Sequence, residues 1–227
     1  MLHAPSTATE LVLSVCSPGE PELVALGPRT RALYYRPNAE PLAPRFRLTA
    51  GQARAVVGVP LTELADRVVP LSELPAIDAG QLVIRWFDVP GEPGTALGPY
   101  LAATAPDAER ETRWVRAAAD RLVGTAGRPP AGVAAVADDL GVSERHLRNR
   151  FAAAVGVSPK HYARIERVRR LLGRIGSAPW ARLATEAGFY DQSHLGREFR
   201  QLMGVPPGAF AAGHTPPPKG CSTATSD

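Results

Sequence analysis

The most constraining feature of this sequence is a pattern that occurs twice between Val133 and Phe210. The first copy reads VAAVADDLGVSERHLRNRFAAAVGVSPKHY, and the second reads ARLATEAGFYDQSHLGREFRQLMGVPPGAF. Seven positions between His146 and Tyr162 recur 48 residues later, whereas the positions before them recur 47 residues later. The second copy therefore has one extra residue in its turn. Two copies are too few for a solenoid, so the pattern indicates a duplicated module.

Each copy is predicted to form two short helices joined by a tight turn. In the first copy, apolar residues recur at helical spacing up to Gly141, which ends a helix because glycine adopts left-handed backbone at little cost. Ser143 is then predicted to cap the second helix. The second helices bury a stripe made of Leu147, Phe151 and Ala154 in the first copy and of Leu195, Phe199 and Leu202 in the second.

The opposite faces of these second helices carry side chains that can read DNA bases. Arginine can bond guanine, asparagine and glutamine can bond adenine, and serine can serve either base. A helix-turn-helix places such residues against base edges in the major groove. The predicted base-reading residues are Arg145, Arg148, Asn149, Gln192, Ser193 and Arg197. An ordinary solvated face is the alternative for one copy, but two copies with the same core positions argue against it.

These motifs resemble the DNA-binding domain of AraC/XylS-type transcription regulators over residues 133–210. The run GFYDQSHLGREFRQLMGVPPGAF (188–210) is close to the signature of that family's second helix-turn-helix, and GVSERHLRNRFAAAVGVSPKHY (141–162) matches the first. The resemblance implies a long connecting helix that sets both recognition helices on one face of the DNA. Gly196 departs from the family pattern, in which a side chain is common, and costs its helix about 1 kcal/mol.

The resemblance also predicts the other elements of the C-terminal half. A helix from about Asp107 to Val123 is predicted as the first helix of a DNA-binding domain at 107–212, and Pro159–Ile175 as the connecting helix. Predicted phosphate contacts are Ser143, His146, His194 and Arg200. Arginines of the connecting helix, most of them expected to face solvent, are Arg164, Arg167, Arg169, Arg170 and Arg174. The tail at 213–227 lacks apolar residues and is expected to be disordered.

Charge is distributed unevenly along the chain. Residues 131–217 contain 12 Lys and Arg against 7 Asp and Glu, a net charge of +5, whereas residues 1–130 have a net charge of −1. The basic half is the half with the duplicated pattern. Counterion release makes such a region bind a phosphate backbone, so this asymmetry favours nucleic acid as the partner.

Residues 1–89 are predicted to form an α+β sensor or dimerisation domain. Short apolar runs separated by Pro and Gly clusters indicate strands. The predicted strands are Glu10–Cys16, Glu22–Leu26, Arg31–Tyr35 and Arg45–Leu48, and the predicted helices are Thr49–Val57, closed by Gly58, and Glu63–Val68, capped by Thr62. Residues 90–106, rich in Gly, Pro and Ala, are predicted to be a linker.

The run PRFRLTAGQARAVVGVPLTELADRVVPLSEL (44–74) resembles the end of a small β-barrel sensor domain of some actinobacterial AraC-type regulators. Such sensors begin with more strands than this chain has room for, so either the barrel is minimal or part of it precedes Met1. The resemblance implies a small-molecule effector, but no cluster of residues identifies one. Arg45 and Arg47 could hold an anion or form a solvated strand edge. Trp86 is predicted to lie in the core or at an interface.

An enzymatic function is not predicted. DNA-repair alkyltransferases with this kind of DNA-binding domain use a zinc-held cysteine cluster, whereas Cys16 has no companion, so an alkyltransferase-like protein without its cysteine site is one alternative. The sequence has no GxSxG, HExxH or P-loop motif. Cys16 and Cys221 make neither a disulfide framework nor a zinc site. A helical protein–protein interaction module is the other alternative, and the uneven charge argues against it.

The sequence thus predicts a cytoplasmic, sequence-specific transcription regulator without a cofactor or metal. Its predicted fold is an α+β N-terminal half, with short strands and a partial barrel, followed by an all-α DNA-binding domain with two helix-turn-helix motifs. We expect double-stranded DNA as the partner, together with RNA polymerase, a small-molecule effector and a second copy of the chain. No uncharged apolar run approaches 18 residues, and the first residues lack the pattern of a secretory signal.

Overall fold

A computed structural model of the chain describes residues 2–14, 22–35, 45–75, 78–87, 93–104, 107–125 and 128–218. The strands are β1 (Leu2–His3), β2 (Glu10–Ser14), β3 (Glu22–Leu26), β4 (Leu33–Tyr34), β5 (Arg45–Arg47) and β6 (Val68–Pro70). The helices are α1 (Ala50–Val57), α2 (Ala79–Phe87), α3 (Pro93–Thr104), α4 (Ala108–Val123), α5 (Val133–Asp139), α6 (Glu144–Val155), α7 (Pro159–Leu172), α8 (Trp180–Glu186), α9 (Gln192–Met203) and α10 (Pro207–Ala211). The predicted fold class, strands before helices, is confirmed.

Two small antiparallel sheets form the N-terminal half, and within the described residues they do not close into a barrel. The larger sheet has the strand order β5-β2-β3-β6, and the smaller one pairs β1 with β4. Leu11, Leu23 and Ala25 of the larger sheet are buried in one apolar core with residues of α1, α2 and α3. Strands built from alternating apolar residues therefore bury one face under helices.

Helix α1 begins and ends where the sequence predicts. The Thr49 side chain accepts a hydrogen bond from the Gln52 backbone, the Gln52 side chain accepts one from the Thr49 backbone, and Gly58 follows in the left-handed conformation. This reciprocal capping satisfies backbone donors that the first turn leaves without partners.

The prediction of a helix over Glu63–Val68 is wrong. A 3-10 turn at Leu61–Leu64 stands near that position, and Val68–Pro70 forms strand β6, which pairs with β3. Leu61 and Leu64 are both buried, since residues three apart lie on one side of a 3-10 turn. Asp66 takes a positive φ of 60°, and its carboxylate accepts a hydrogen bond of 2.7 Å from the Thr30 backbone. This tertiary contact holds the chain between the turn and β6, where the β-branched residues Val68 and Val69 adopt an extended conformation.

The segment predicted as a linker contains helix α3. Its Leu97 and Leu101 are fully buried in the N-terminal core beside Leu82 of α2. Pro93 occupies the first helical position, where its missing N–H is not needed, so a proline-rich composition did not prevent a helix. The domain bounds at 89 and 107 stay a prediction. The Trp86 side chain, Cys16, Cys221 and the tail from 219 onward lie outside the described residues.

Helices α4 to α10 form the C-terminal half around two apolar cores. One core surrounds Leu147 and Phe151 and includes α4, and the other surrounds Leu195 and Phe199. The duplication extends to the aromatic contacts. Phe151 meets Tyr162 edge to face at 5.2 Å between ring centroids, and their repeat equivalents Phe199 and Phe210 meet in the same way at 5.6 Å.

The N-terminal half packs on the C-terminal ends of helices α6 and α9. Gly156, which ends α6, lies so close to the N-terminal half that an added Cβ would be 2.5 Å from Pro28 Cγ and 2.7 Å from the Leu61 carbonyl oxygen. At the end of α9, Ala32 N donates to the Leu202 carbonyl at 2.7 Å. The Tyr34 hydroxyl donates to the Met203 carbonyl at 2.8 Å.

We expect Gly156→Ala to destabilise the protein more than Gly204→Ala, its repeat equivalent. Both glycines have a left-handed φ, of 84° and 78°, so both alanines carry the same backbone strain. Only the methyl group at residue 156 collides with backbone atoms, because the nearest atom to a Cβ at residue 204 is Pro216 Cγ at 3.2 Å. The free energy of unfolding in urea should fall by about 1–3 kcal/mol more for Gly156→Ala. Equal losses would show that the two halves do not pack here.

Candidate DNA interface

The two helix-turn-helix motifs have the same pattern of backbone hydrogen bonds. Val142 N donates to the Ala137 carbonyl at 3.0 Å in the first motif, and Phe189 N donates to the Ala184 carbonyl at 2.9 Å in the second. Four residues separate α5 from α6, and five separate α8 from α9. The extra residue expected in the second turn is therefore present. It follows Gly188, which has a positive φ like its equivalent Gly141 in the first turn.

Each second helix starts at a side-chain cap. The Ser143 hydroxyl accepts a hydrogen bond from His146 N at 3.2 Å, which confirms the predicted cap of α6. In α9 the cap is Asp191, whose Oδ1 accepts from His194 N at 2.6 Å. The sequence analysis named Gln192 as a base-reading residue but did not identify Asp191 as the cap. An aspartate directly before the helical pattern was the available signal.

All six predicted base-reading side chains are exposed on the faces opposite the buried stripes. They are Arg145, Arg148 and Asn149 on α6, and Gln192, Ser193 and Arg197 on α9. Arg148 forms an ion pair with Glu144, one turn away. The other five side chains make no hydrogen bond or ion pair within the described part of the chain. Their polar atoms are therefore available to a partner without breaking an internal contact.

Gly196 occupies the position on α9 that Arg148 occupies on α6. A Cβ added at Gly196 would meet no atom within 4 Å. Packing therefore does not require glycine here, and the residue leaves a gap in the polar face between Ser193 and Arg197.

The four predicted phosphate contacts differ in their surroundings. Ser143, His146 and Arg200 are exposed, whereas His194 is half-buried. His194 Nδ1 accepts from Tyr190 N at 3.4 Å, its Nε2 is 3.4 Å from Glu198 Oε1, and its ring meets Phe189 edge to face. Contacts within the second motif thus hold His194, and no equivalent contacts hold His146 among the described residues.

Glu198 joins helix α7 to helix α9. Its carboxylate accepts from Arg164 Nε at 3.1 Å and from Arg167 at 3.3 Å, and its side chain is only 13% exposed. Arg167 also donates to the Gly188 carbonyl and lies over the Phe189 ring. Two arginines of α7 therefore position the turn of the second motif and the middle of α9. Sequence reasoning missed Glu198 because a lone acid on a basic helix has no distinctive pattern.

The expectation that most connecting-helix arginines face solvent is wrong for Arg164, Arg167 and Arg169, which are half-buried. Arg169 donates to the Ser6 hydroxyl of the N-terminal half at 3.0 Å. Arg170, although more exposed, donates to the Val123 and Gly124 carbonyls at 3.0 and 2.8 Å. Arginine stems lie along apolar surfaces and their planar heads reach several acceptors at once, so a helical wheel alone does not place them.

Tyr190 is an exposed aromatic residue at the start of the second motif's polar face. Its side chain is 92% exposed, whereas the neighbouring Phe189 is buried. Single exposed aromatic residues are common on protein surfaces, and Tyr190 is notable only for its position beside the polar face of α9. The predicted site did not include Tyr190, although two consecutive aromatic residues, which cannot both face the core, were a signal.

In the described ranges no cluster of three or more His, Cys, Asp or Glu side chains could hold a metal ion. None of the described helices is long and apolar enough to cross a membrane.

We expect Glu198→Ala to destabilise the protein by about 2 kcal/mol, because it leaves two half-buried guanidinium groups without their carboxylate. Glu186→Ala is the matched control. Glu186 also accepts from two arginines, Arg174 and Arg182, but this group is exposed and should contribute little. Thermal unfolding followed by circular dichroism measures both. A similar loss for the two variants would contradict the role of Glu198.

Comparisons with known proteins agree with this geometry. Residues 136–213 match the sequence family described as a helix-turn-helix domain. A Streptomyces lividans protein named as an AraC-like transcription regulator is 38% identical over 184 residues, which cover 68% of this chain and 60% of that protein. A Streptomyces antibioticus protein of the same name is 38% identical over 116 residues, which cover 47% of this chain and 37% of that protein. The chain thus spans less than two thirds of either relative. Its C-terminal part is an AraC-type helix-turn-helix domain, as the resemblance of its two motifs predicted.

Proposed function

We propose that this protein is a sequence-specific, DNA-binding transcription regulator. The observation that carries the proposal is the pair of helix-turn-helix motifs with matching backbone, each offering an exposed polar face opposite its buried stripe. The net charge of +5 over residues 131–217 supports nucleic acid as the partner. The protein would act in the cytoplasm, as a regulator rather than an enzyme.

Helices α6 and α9 enter successive major grooves, about 34 Å apart along the DNA. Helix α7 supports this arrangement because it is held at both ends. Tyr162 at its start packs in the first core, and Ile165, Val168 and Leu171 are buried in the second. A helix anchored in both cores fixes the relative position of the two motifs, as reading two grooves at once requires.

The two helices read different bases. At equivalent positions, Arg145 of α6 stands where α9 has Ser193, and Asn149 stands where α9 has Arg197. Arginine favours guanine and asparagine favours adenine. One protein molecule therefore recognises two unlike sub-sites, with Arg148 and Gln192 adding contacts to their own sub-sites. Tyr190 contacts a thymine methyl group or a phosphate beside the second sub-site.

Ser143, His146, His194 and Arg200 contact the DNA backbone. Hydroxyl, imidazole and guanidinium groups can all donate to phosphate oxygens and so fix the register of the protein on the duplex. His194 would have to leave Glu198 to do so. Arg200 lines a surface groove together with Arg31, so the N-terminal half adds positive charge beside it.

The bound protein regulates transcription through RNA polymerase, and its N-terminal half acts as a sensor or dimerisation unit. Contacts at the ends of α6 and α9 support a regulatory role for that half, because any movement of it would act on both recognition helices directly.

DNA binding by three variants tests the base-reading residues. The wild-type protein would first select its preferred sequence from random duplexes. On that sequence, Arg145→Ala and Arg197→Ala should each weaken binding by about 1–3 kcal/mol and relax the preference at particular bases. Arg200→Ala should weaken binding to selected and scrambled DNA alike and reduce its salt dependence.

Arg113→Ala is the matched control. Arg113 is exposed on α4, so this substitution removes the same charge at a position away from both recognition helices. It should change binding little. If all four variants behaved identically on selected and scrambled DNA, the base-reading assignment would be wrong. If the wild type selected no sequence, the helical domain would be a non-specific or protein-binding module instead.

A further inference from the structure

A cavity of about 420 Å³ lies between the N-terminal half and the helices of the first motif. Its N-terminal wall comes from the segment before β2 and from the β5–α1 connection. Its C-terminal wall comes from α4, the end of α6 and the start of α7. The volume falls within the range of small-molecule sites in proteins. A molecule bound here would touch both halves of the chain at once.

Slightly more than half of the residues that line the cavity are apolar. Its apolar lining residues are Ala8, Leu48, Ala50, Ala53, Leu61, Val115, Ala119, Ala154 and Val155. Thr9 also belongs to the wall and is 3% exposed, and its Oγ1 has no hydrogen-bond partner among the described residues. Burying a hydroxyl without a partner is costly, so Thr9 is a hydrogen-bonding group that the protein itself leaves unused.

Charged and hydroxyl groups converge on the same cavity. Arg47 and Arg116 line it from opposite halves, are exposed, and make no ion pair within the described ranges. Asp120 contributes one carboxylate, so the guanidinium groups are in excess. Tyr162 lines the cavity as well. Burial, and then the nearby Glu166 and Asp120 carboxylates, raise the pKa of Tyr162 to about 12. Its hydroxyl therefore keeps its proton at neutral pH and can donate to an acceptor.

We propose that this cavity binds a small apolar molecule that carries one carboxylate. The apolar body lies among the alanine, leucine and valine side chains. The carboxylate lies at the rim beside Arg47 and Arg116, which are the unpaired cations of the cavity. A neutral or cationic molecule of the same shape would not neutralise the positive charge of those two guanidinium groups, so it would bind less well.

The regulatory meaning of this site rests on the proposed function, although binding itself does not. A ligand that contacts both walls favours one arrangement of the N-terminal half on the ends of α6 and α9. If that arrangement differs in its affinity for DNA, ligand and DNA change each other's binding by the same factor.

Calorimetric titration of the full chain with cyclohexanecarboxylate, and with cyclohexanecarboxamide as its uncharged counterpart, tests the site. The carboxylate should bind at one site per chain and at least about tenfold more tightly than the amide, since charge-assisted hydrogen bonds are about twice as strong as neutral ones. Arg47→Gln and Arg116→Gln should each weaken carboxylate binding about fivefold. Asp120→Asn should strengthen it, because it removes the repelling carboxylate that lines the cavity.

Arg113→Gln, on the same helix as Arg116 but outside the cavity, is the matched control and should leave carboxylate binding unchanged. Ala50→Phe should fill the cavity and abolish binding, with circular dichroism to check that this variant folds. Opposite effects of Arg116→Gln and Asp120→Asn cannot come from a general loss of structure, so they support the site even if Ala50→Phe unfolds.

The proposal is overturned if the wild type does not bind the carboxylate, if it binds the amide equally well, or if Asp120→Asn and Arg116→Gln change binding in the same direction. Titration with the selected DNA is carried out separately on the same samples. Failure to bind DNA would refute the proposed function and leave the cavity site standing, and failure to bind the carboxylate would do the reverse.

Discussion

The arrangement of helices α6 and α9 depends on how helix α7 is held between them. Its apolar residues enter both C-terminal cores, and its arginines bond to α4 at one side and to α9 at the other. In each bond, a carbonyl or carboxylate held by a helix replaces water around a guanidinium group. These hydrogen bonds add directional contacts to the apolar packing. A change in the direction of α7 would therefore move one polar face relative to the other.

The N-terminal half adds a second constraint at the C-terminal ends of α6 and α9. It packs closely against the end of α6 through Pro28 and Leu61, and it reaches the end of α9 through backbone and hydroxyl hydrogen bonds. The polar faces are left uncovered. The N-terminal half thus holds α6 and α9 by their C-terminal ends and leaves their N-terminal parts free, which are the parts that a helix-turn-helix places against base edges.

Patterns in the sequence predicted the duplicated motifs well because those motifs are local. Periodic residues such as Leu147 and Phe151, a serine cap and a left-handed glycine each act within a few residues. Features that depend on distant contacts were missed. Asp66 bonds to Thr30 in the segment between the 3-10 turn and β6. Helix α3 buries Leu97 beside Leu82, and the Glu198 cluster joins two helices. The polar-face residues were placed correctly on the surface, but their roles on DNA stay a prediction.

The one-to-one match of the two motifs applies to their cores and turns, whereas their exposed faces have diverged. Phe151 and Phe199 occupy equivalent buried positions, but Arg145 and Ser193 occupy equivalent exposed ones. Buried positions are coupled to many neighbours, and exposed positions to few, so the two kinds of residue are free to change at different rates. Each exposed face can therefore change by single substitutions without disturbing the shared core or the exposed face of the other motif.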